Sequence, residues 1–210
     1  MLGGRPHWGA FGGRKMKKLF LALIFGLLST FIYAAPFGLK MGMTIDEIAE
    51  QCEEEPSFLE KDIYLIKPSK NHPLFQYYAV YVNDKTGLYQ IRAVSDYITC
   101  NQYGTELQNA FNSLKDRIGK TYGKPRINNK VDPNISEFSR DDKHWFMTLK
   151  EGSRVLAAIW GEKTSLLDDL SIVGLECVAD SGYLDGKGHL LLYYVFNNAT
   201  SVEDEQDSVF

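Results

Sequence analysis

The sequence predicts an α+β fold of two successive units, each a helix packed on an antiparallel β-meander, with three strands in the first and four in the second. Two segments carry apolar residues at helical spacing, and the other apolar segments are short and rich in aromatic and β-branched residues. Every link between neighbouring strands is short, which favours antiparallel pairing over crossovers. Of the 210 residues 44% are apolar and 24% charged, which excludes wholesale disorder, collagen and coiled coil.

Residues 1–34 stand apart from this plan. They hold five basic residues and no acidic one, which leaves the remainder with 18 basic against 27 acidic residues. A chain that acidic repels phosphate backbones, so nucleic acid is not expected as a partner. Met16-Lys17-Lys18 opens a basic stretch, Leu19–Tyr33 is apolar, and Ala34-Ala35-Pro36 follows. This is the anatomy of a cleaved secretory signal peptide beginning near Met16. The apolar run falls short of the ~20 residues of a spanning helix, so no stable membrane span is expected after cleavage. Cleavage after Ala34 would leave Ala35 as the mature N-terminus of a periplasmic or secreted protein. No cysteine follows the run to accept a lipid.

The first unit is expected over residues 35–100. After a lead-in strand at 37–41, Thr44-Ile45-Asp46-Glu47 has the form of a capping box and opens a helix with Ile45, Ile48 and Ala49 inward. Strands follow at 62–67, 75–82 and 88–99, the last two joined by a turn in which Gly87 supplies positive φ. In this hairpin Phe75, Tyr77, Ala79, Tyr81, Ile91 and Ala93 are expected to share the core face. The second unit is expected over 101–197. Leu107, Phe111, Leu114 and Ile118 lie on one face of a helix from Thr105 to Tyr122, stopped by Gly123 and Pro125. A polar connection (126–142) leads to strands at 144–149, 154–160, 170–178 and 188–196. The tail, 198–210, is acidic and aperiodic and is expected to fray.

Two short motifs carry a resemblance. Gly42-Met43-Thr44 followed by Ile48, and Tyr122-Gly123-Lys124-Pro125 at the end of the second helix, resemble the Gly-x-Thr and Gly-x-Pro pattern of small envelope domains. These are the small lipoprotein of the outer-membrane β-barrel assembly machine and the tandem-repeat β-lactamase inhibitor proteins. The resemblance implies helices on one face of an antiparallel sheet and a protein partner on the other. It carries over no binding residue position by position.

The chain holds little of the chemistry of an enzyme. It has no Gly-x-Ser-x-Gly, Ser-x-x-Lys, P-loop, Gly-x-Gly-x-x-Gly or Cys-x-x-Cys. His144 beside Asp141 and Asp142 has the residue types of a general base or metal ligand, but reads better as a polar strand entry. The loop from Asp180 to His189, with Asp185, offers carboxylates to a cation, yet a glycine-rich hairpin explains it without a metal. No metal, cofactor or catalytic residue is assigned. Of the cysteines, Cys177 alternates like a buried strand residue, while Cys52 and Cys100 sit at element boundaries. Cys52–Cys100 is the expected disulfide of an oxidising compartment.

The strands at 144–149 and 154–160 are apolar on both faces. One reading buries both faces between the units; the other makes the tryptophan face a partner surface, with Trp145, Met147, Leu156, Trp160 and Tyr194 in contact. The sequence therefore points to an exported, non-enzymatic protein-binding module of the bacterial envelope or periplasm. The alternative is a small periplasmic hydrolase or ligand-binding protein, with a cleft between the units and His144, Asp141 or Asp185 at work.

Overall fold

In the computed structural model, which describes residues 35–161, 166–180 and 186–202, Thr44 caps the first helix as its sequence predicts. Its Oγ1 accepts the Glu47 N–H at 3.3 Å and Glu47 Oε2 accepts the Thr44 N–H at 2.8 Å. This helix, α1, is short (Ile45–Ala49). Four strands follow: β1 (Ser57–Glu60), β2 (Ile63–Ile66), β3 (Phe75–Asn83) and β4 (Gly87–Ser95), with a two-residue β5 (Ile98–Thr99). Helix α2 (Thr105–Tyr122) buries Leu107, Phe111, Leu114 and Ile118 and ends at Gly123, whose φ is +82°. Then come β6 (Arg126–Val131), α3 (Glu137–Arg140), α4 (Trp145–Lys150), β7 (Arg154–Trp160), β8 (Leu170–Ala179) and β9 (Lys187–Phe196).

The protein is α+β, with few helices and one large antiparallel sheet in the order β1-β2-β3-β4-β9-β8-β7-β6, β5 pairing with β9. The expected halves, 35–100 and 101–197, supply β1–β5 and β6–β9 to this one sheet. The last strands of the two halves meet at its centre, where Ile91 pairs with Tyr194 and Ala93 with Leu192. Buried residues from both halves form one cluster, from Leu39 and Val80 to Trp160 and Phe196.

Helices α2 and α4 lie on the same face of the sheet. A Cβ built on Gly188 would meet Leu107 of α2 at 2.8 Å and Phe146 of α4 at 3.3 Å. The turn at Pro36–Gly38 joins them: Phe37 packs edge-on to Phe75, Tyr78 and Tyr194.

Several expectations are corrected. Residues 144–149 form a helix, not a strand. Trp145, Phe146, Thr148 and Leu149 are buried while Met147 is exposed, a helical rhythm, and Thr148 Oγ1 donates to the carbonyls of His144 and Trp145. Residues 37–41 make a 3₁₀ turn and irregular chain in place of a lead-in strand, and the polar connection contains β6 and α3. A bulge at Gln76, between Phe75 and Tyr77, shifts the parity of β3, and a second irregularity opposite Tyr81 places Tyr89 as an extra residue in β4. Tyr78, Val80 and Val82 face the core, while Tyr77, 64% exposed, and with it Ala79 and Tyr81 lie on the other face. At the start of the tail, Asn198 Nδ2 donates to the carbonyls of Thr86 and Leu88, and Val202 is buried.

The disulfide is also corrected: all three cysteines are free. Cys52 bridges to Pro68 beyond β2, whereas Cys100 donates its N–H to Gly186 alongside β9. Cys52 thus lies in the lane of β1 and Cys100 in that of β4, with the lanes of β2 and β3 between them, so they stand three strand spacings, about 14 Å, apart. That exceeds the ~7 Å Cα separation a disulfide can bridge. The expected leader (1–34), Asp185 and the tail from 203 lie outside the described residues. Among the described residues no helix is long and apolar enough to cross a membrane.

Candidate functional site

The sheet face turned away from α2 and α4 is built by strand register. One row runs Leu65, Ala79, Arg92, Tyr193, Gly174, Ile159 across six strands, continuing to Arg126 of β6. A second runs Tyr77, Val94, Leu191, Glu176, Ala157, Asn128. A third runs Ile63, Tyr81, Gln90, Val195, Ile172. A sheet covered by helices on one side ordinarily carries polar residues on the other. Here aliphatic and aromatic residues dominate, and most are half-buried by one another rather than covered.

Its few polar groups are set among rings and aliphatic side chains. The Arg92 guanidinium lies 4.8 Å over the Tyr81 ring, and Tyr81 meets Tyr89 edge-on at 6.0 Å. Tyr193 lies against Gly174, where an added Cβ would come within 1.9 Å of its ring. Burial pushes the Glu176 carboxyl above its ordinary range, because charge is poorly solvated among Leu191 and Ala157. Asn128 Oδ1 is buried with no hydrogen-bond partner among the described residues. Arginine and tyrosine on an apolar field are the residue types that anchor protein interfaces.

The expected contact residues mostly point the other way. Trp145, Leu156, Trp160 and Tyr194 are buried beneath the helices, and Met147 alone is exposed, at 38%. Trp160 Nε1 donates to the carbonyl of Gly123 at 2.8 Å, tying the end of α2 to β7. Desolvation pushes the Tyr122 hydroxyl up to about 12 and raises that of Tyr194, whose ring packs edge-on against it at 6.5 Å. The cause is parity: Trp160 pairs with Val173 on the helix side, and Trp145 is on α4. Tyr77, Arg92 and Tyr193 were not singled out as contacts. The signal was present in the two-sided apolar pattern of β9, Leu191 and Tyr193 against Leu192 and Tyr194.

A second region gathers the titratable residues. Cys100, Gln102, Lys143, His144, Phe146 and Lys150 line a hollow of about 690 Å³. The His144 ring lies 4.2 Å from that of Phe138, and its Nε2 is buried without a hydrogen-bond partner. Burial raises the Cys100 thiol, and its Sγ donates to the Ile98 carbonyl at 3.2 Å, so the group is held as a thiol, the poorer nucleophile. Cys177 is pushed up as well, chiefly by burial. The exposed Asp141 accepts the Lys143 N–H at 3.0 Å and stands 3.3 Å from Lys143 Nζ. The backbone bond leads in holding its carboxyl low. Among the described residues no three His, Cys, Asp or Glu side chains converge as a metal site.

Fold and site together define a class: an α+β protein with helices on one side of a wide antiparallel sheet and an apolar, tyrosine-bearing surface on the other. Comparison of the chain with protein-family models, with curated proteins and with solved structures finds no match.

Proposed function

We propose that the protein is an exported, non-enzymatic binding module of the bacterial envelope or periplasm that holds a partner protein against the sheet face turned away from α2 and α4. One observation carries the reading: three registered rows of mostly aliphatic and aromatic residues on a face that the helices leave uncovered. The partner has an apolar surface of matching size, with polar groups for Arg92 and Glu176. Export rests on the leader pattern of residues 16–36. The halves read as two copies of a helix-plus-meander plan, since strands β1–β4 and β6–β9 run inward from opposite edges to meet at the centre.

The test is capture from a periplasmic extract followed by reconstitution with the purified partner. Tyr77→Ala and Arg92→Ala should each leave the melting temperature close to the parent and weaken the reconstituted complex by about 2 kcal/mol or more. Unchanged affinity in both variants would remove this face from the interface.

The hollow at Cys100 and His144 supports a second reading, as a small-ligand site. His144→Ala abolishing binding of a small molecule, with Tyr77→Ala silent towards any protein, would favour it over the first.

A further inference from the structure

The two free edges of the sheet differ in charge. At one edge, residues 50–62 around β1 hold six acidic residues against Lys61 and against Lys67, which pairs with Glu53 and Glu54 at 3.2 and 2.8 Å, so acid remains in excess. At the other, Arg126 and Lys130 lie on β6 itself, and Lys115 and Lys124 line a hollow beside its Ile127, four basic residues against Asp116. The two edges thus carry opposite net charge. Both edges are open among the described residues: β1 pairs only with β2, and β6 only with β7.

The strand directions are compatible with joining them. All neighbours along the path are antiparallel and the path has eight strands, so β1 and β6 run in opposite senses. A second copy set edge to edge in the same orientation therefore continues the antiparallel alternation, with its helices on the same side. The side chains agree. Phe58 of β1, 62% exposed, pairs with Tyr64 on the helix-side face. Ile127 of β6 lies on that same face, pairing with Ala158, and lines a hollow of about 500 Å³ with Gly119, Gly123 and Pro125. Apart from its own chain neighbours and the backbone of α2, neither glycine has an atom within 4 Å of where a Cβ would stand, so the hollow is open beside Ile127.

We propose that a second copy of this chain is the occupant of the β6 edge: the acidic β1 edge of one copy adds to the basic β6 edge of the next, head to tail, with Phe58 seated beside Ile127. The contact is heterologous, so it adds copies in a row rather than closing a dimer. Because β1 is short and bulged after Phe58, the contact is small and leans on charge. It uses the sheet edges and leaves the face bearing Tyr77 and Arg92 free, so it stands or falls separately from the partner-binding reading.

Sedimentation of the full chain over a concentration series tests it. Association should grow with concentration at low salt and fall away near 1 M salt, where the Debye length is about 3 Å. Lys124→Glu/Lys130→Glu blocks one edge and Glu55→Lys/Glu60→Lys the other. Each variant alone should associate at least about tenfold more weakly than the parent. Mixed, they should differ from either alone, because each retains the edge the other lacks. The intact acidic edge of the first meets the intact basic edge of the second, giving a one-to-one complex that grows no further. A parent that stays monomeric at all concentrations, association that the variants or salt leave unchanged, or a mixture no larger than its components would each overturn the proposal.

Discussion

Trp160 donates its indole N–H to Gly123 and is 2% exposed, so it is a structural post between β7 and the end of α2. Trp160→Ala should cost roughly 3–5 kcal/mol in urea unfolding, the range for a large aromatic lost from a core. Trp160→Phe should cost less, mainly the hydrogen bond to the Gly123 carbonyl, about 1–3 kcal/mol. A near-neutral Trp160→Ala would contradict the burial. His189 gives a pH signature. Burial lowers its imidazole from 6.5, opposed by the Asp180 charge, and its Nδ1 is buried without a hydrogen-bond partner. The neutral ring is favoured in the folded chain, so His189 contributes stability above the unfolded value near 6.5, and this is lost as pH falls through the lower folded value. His189→Phe should flatten part of the decline in melting temperature between neutral pH and pH 5; an unchanged slope would assign that decline elsewhere.

At the scale of elements, β8 and β9 are locked by Tyr193 over Gly174. Gly174→Val should destabilise by about 1–3 kcal/mol through overpacking, and Tyr193→Ala in the same chain should recover part of that loss. Thr148 links α4 to β7: its Oγ1 accepts Arg154 Nε at 3.0 Å, and the Arg154 side chain is buried. Thr148→Val should cost about 1–3 kcal/mol, measured by chemical denaturation, because Arg154 then loses a buried acceptor. The elements legible in the sequence are those whose signals are local. The capping box of α1, the four-residue apolar stripe of α2 and the Gly87 turn all appear where the residues put them. Residues 144–149 suggest a strand in sequence because six residues contain too few turns to separate a helical rhythm from a two-sided strand. The face of Tyr77 is not legible in sequence, because the bulge before it changes parity without leaving a mark in the residue types. Strand β6, with Arg126, Asn128, Asn129 and Lys130, has the composition of a loop and is a strand because β7 offers it an edge.

At the scale of the molecule, a single buried cluster crosses the β4–β9 seam, so the halves should unfold together. In the chain from Ala35 onward, which lacks Trp8, tryptophan fluorescence reports Trp145 and Trp160, both in the second half, while far-UV circular dichroism reports every strand. The two probes should give coincident urea transitions; a β-sheet signal lost in two steps would mean separable halves. The candidate surface was legible only as an excess of apolar residues in the second half. Which face carried it depended on pairings between residues about a hundred positions apart, and no local pattern records those.

The strand that arrives last in the chain occupies the middle of the sheet. Strands β3 and β4 can pair as soon as their turn forms, but β4 meets its other neighbour only when β9 has been made. Until then Ile91 and Ala93 have no partner on that side, and the first half waits as an unfinished meander with an unpaired edge. Loss of a few residues from the end of most sheets trims a margin. Here, loss of Lys187–Phe196 would remove the strand on which both halves depend, leaving a four-stranded piece (β1–β4) and a three-stranded piece (β6–β8), each with a newly bared hydrophobic border.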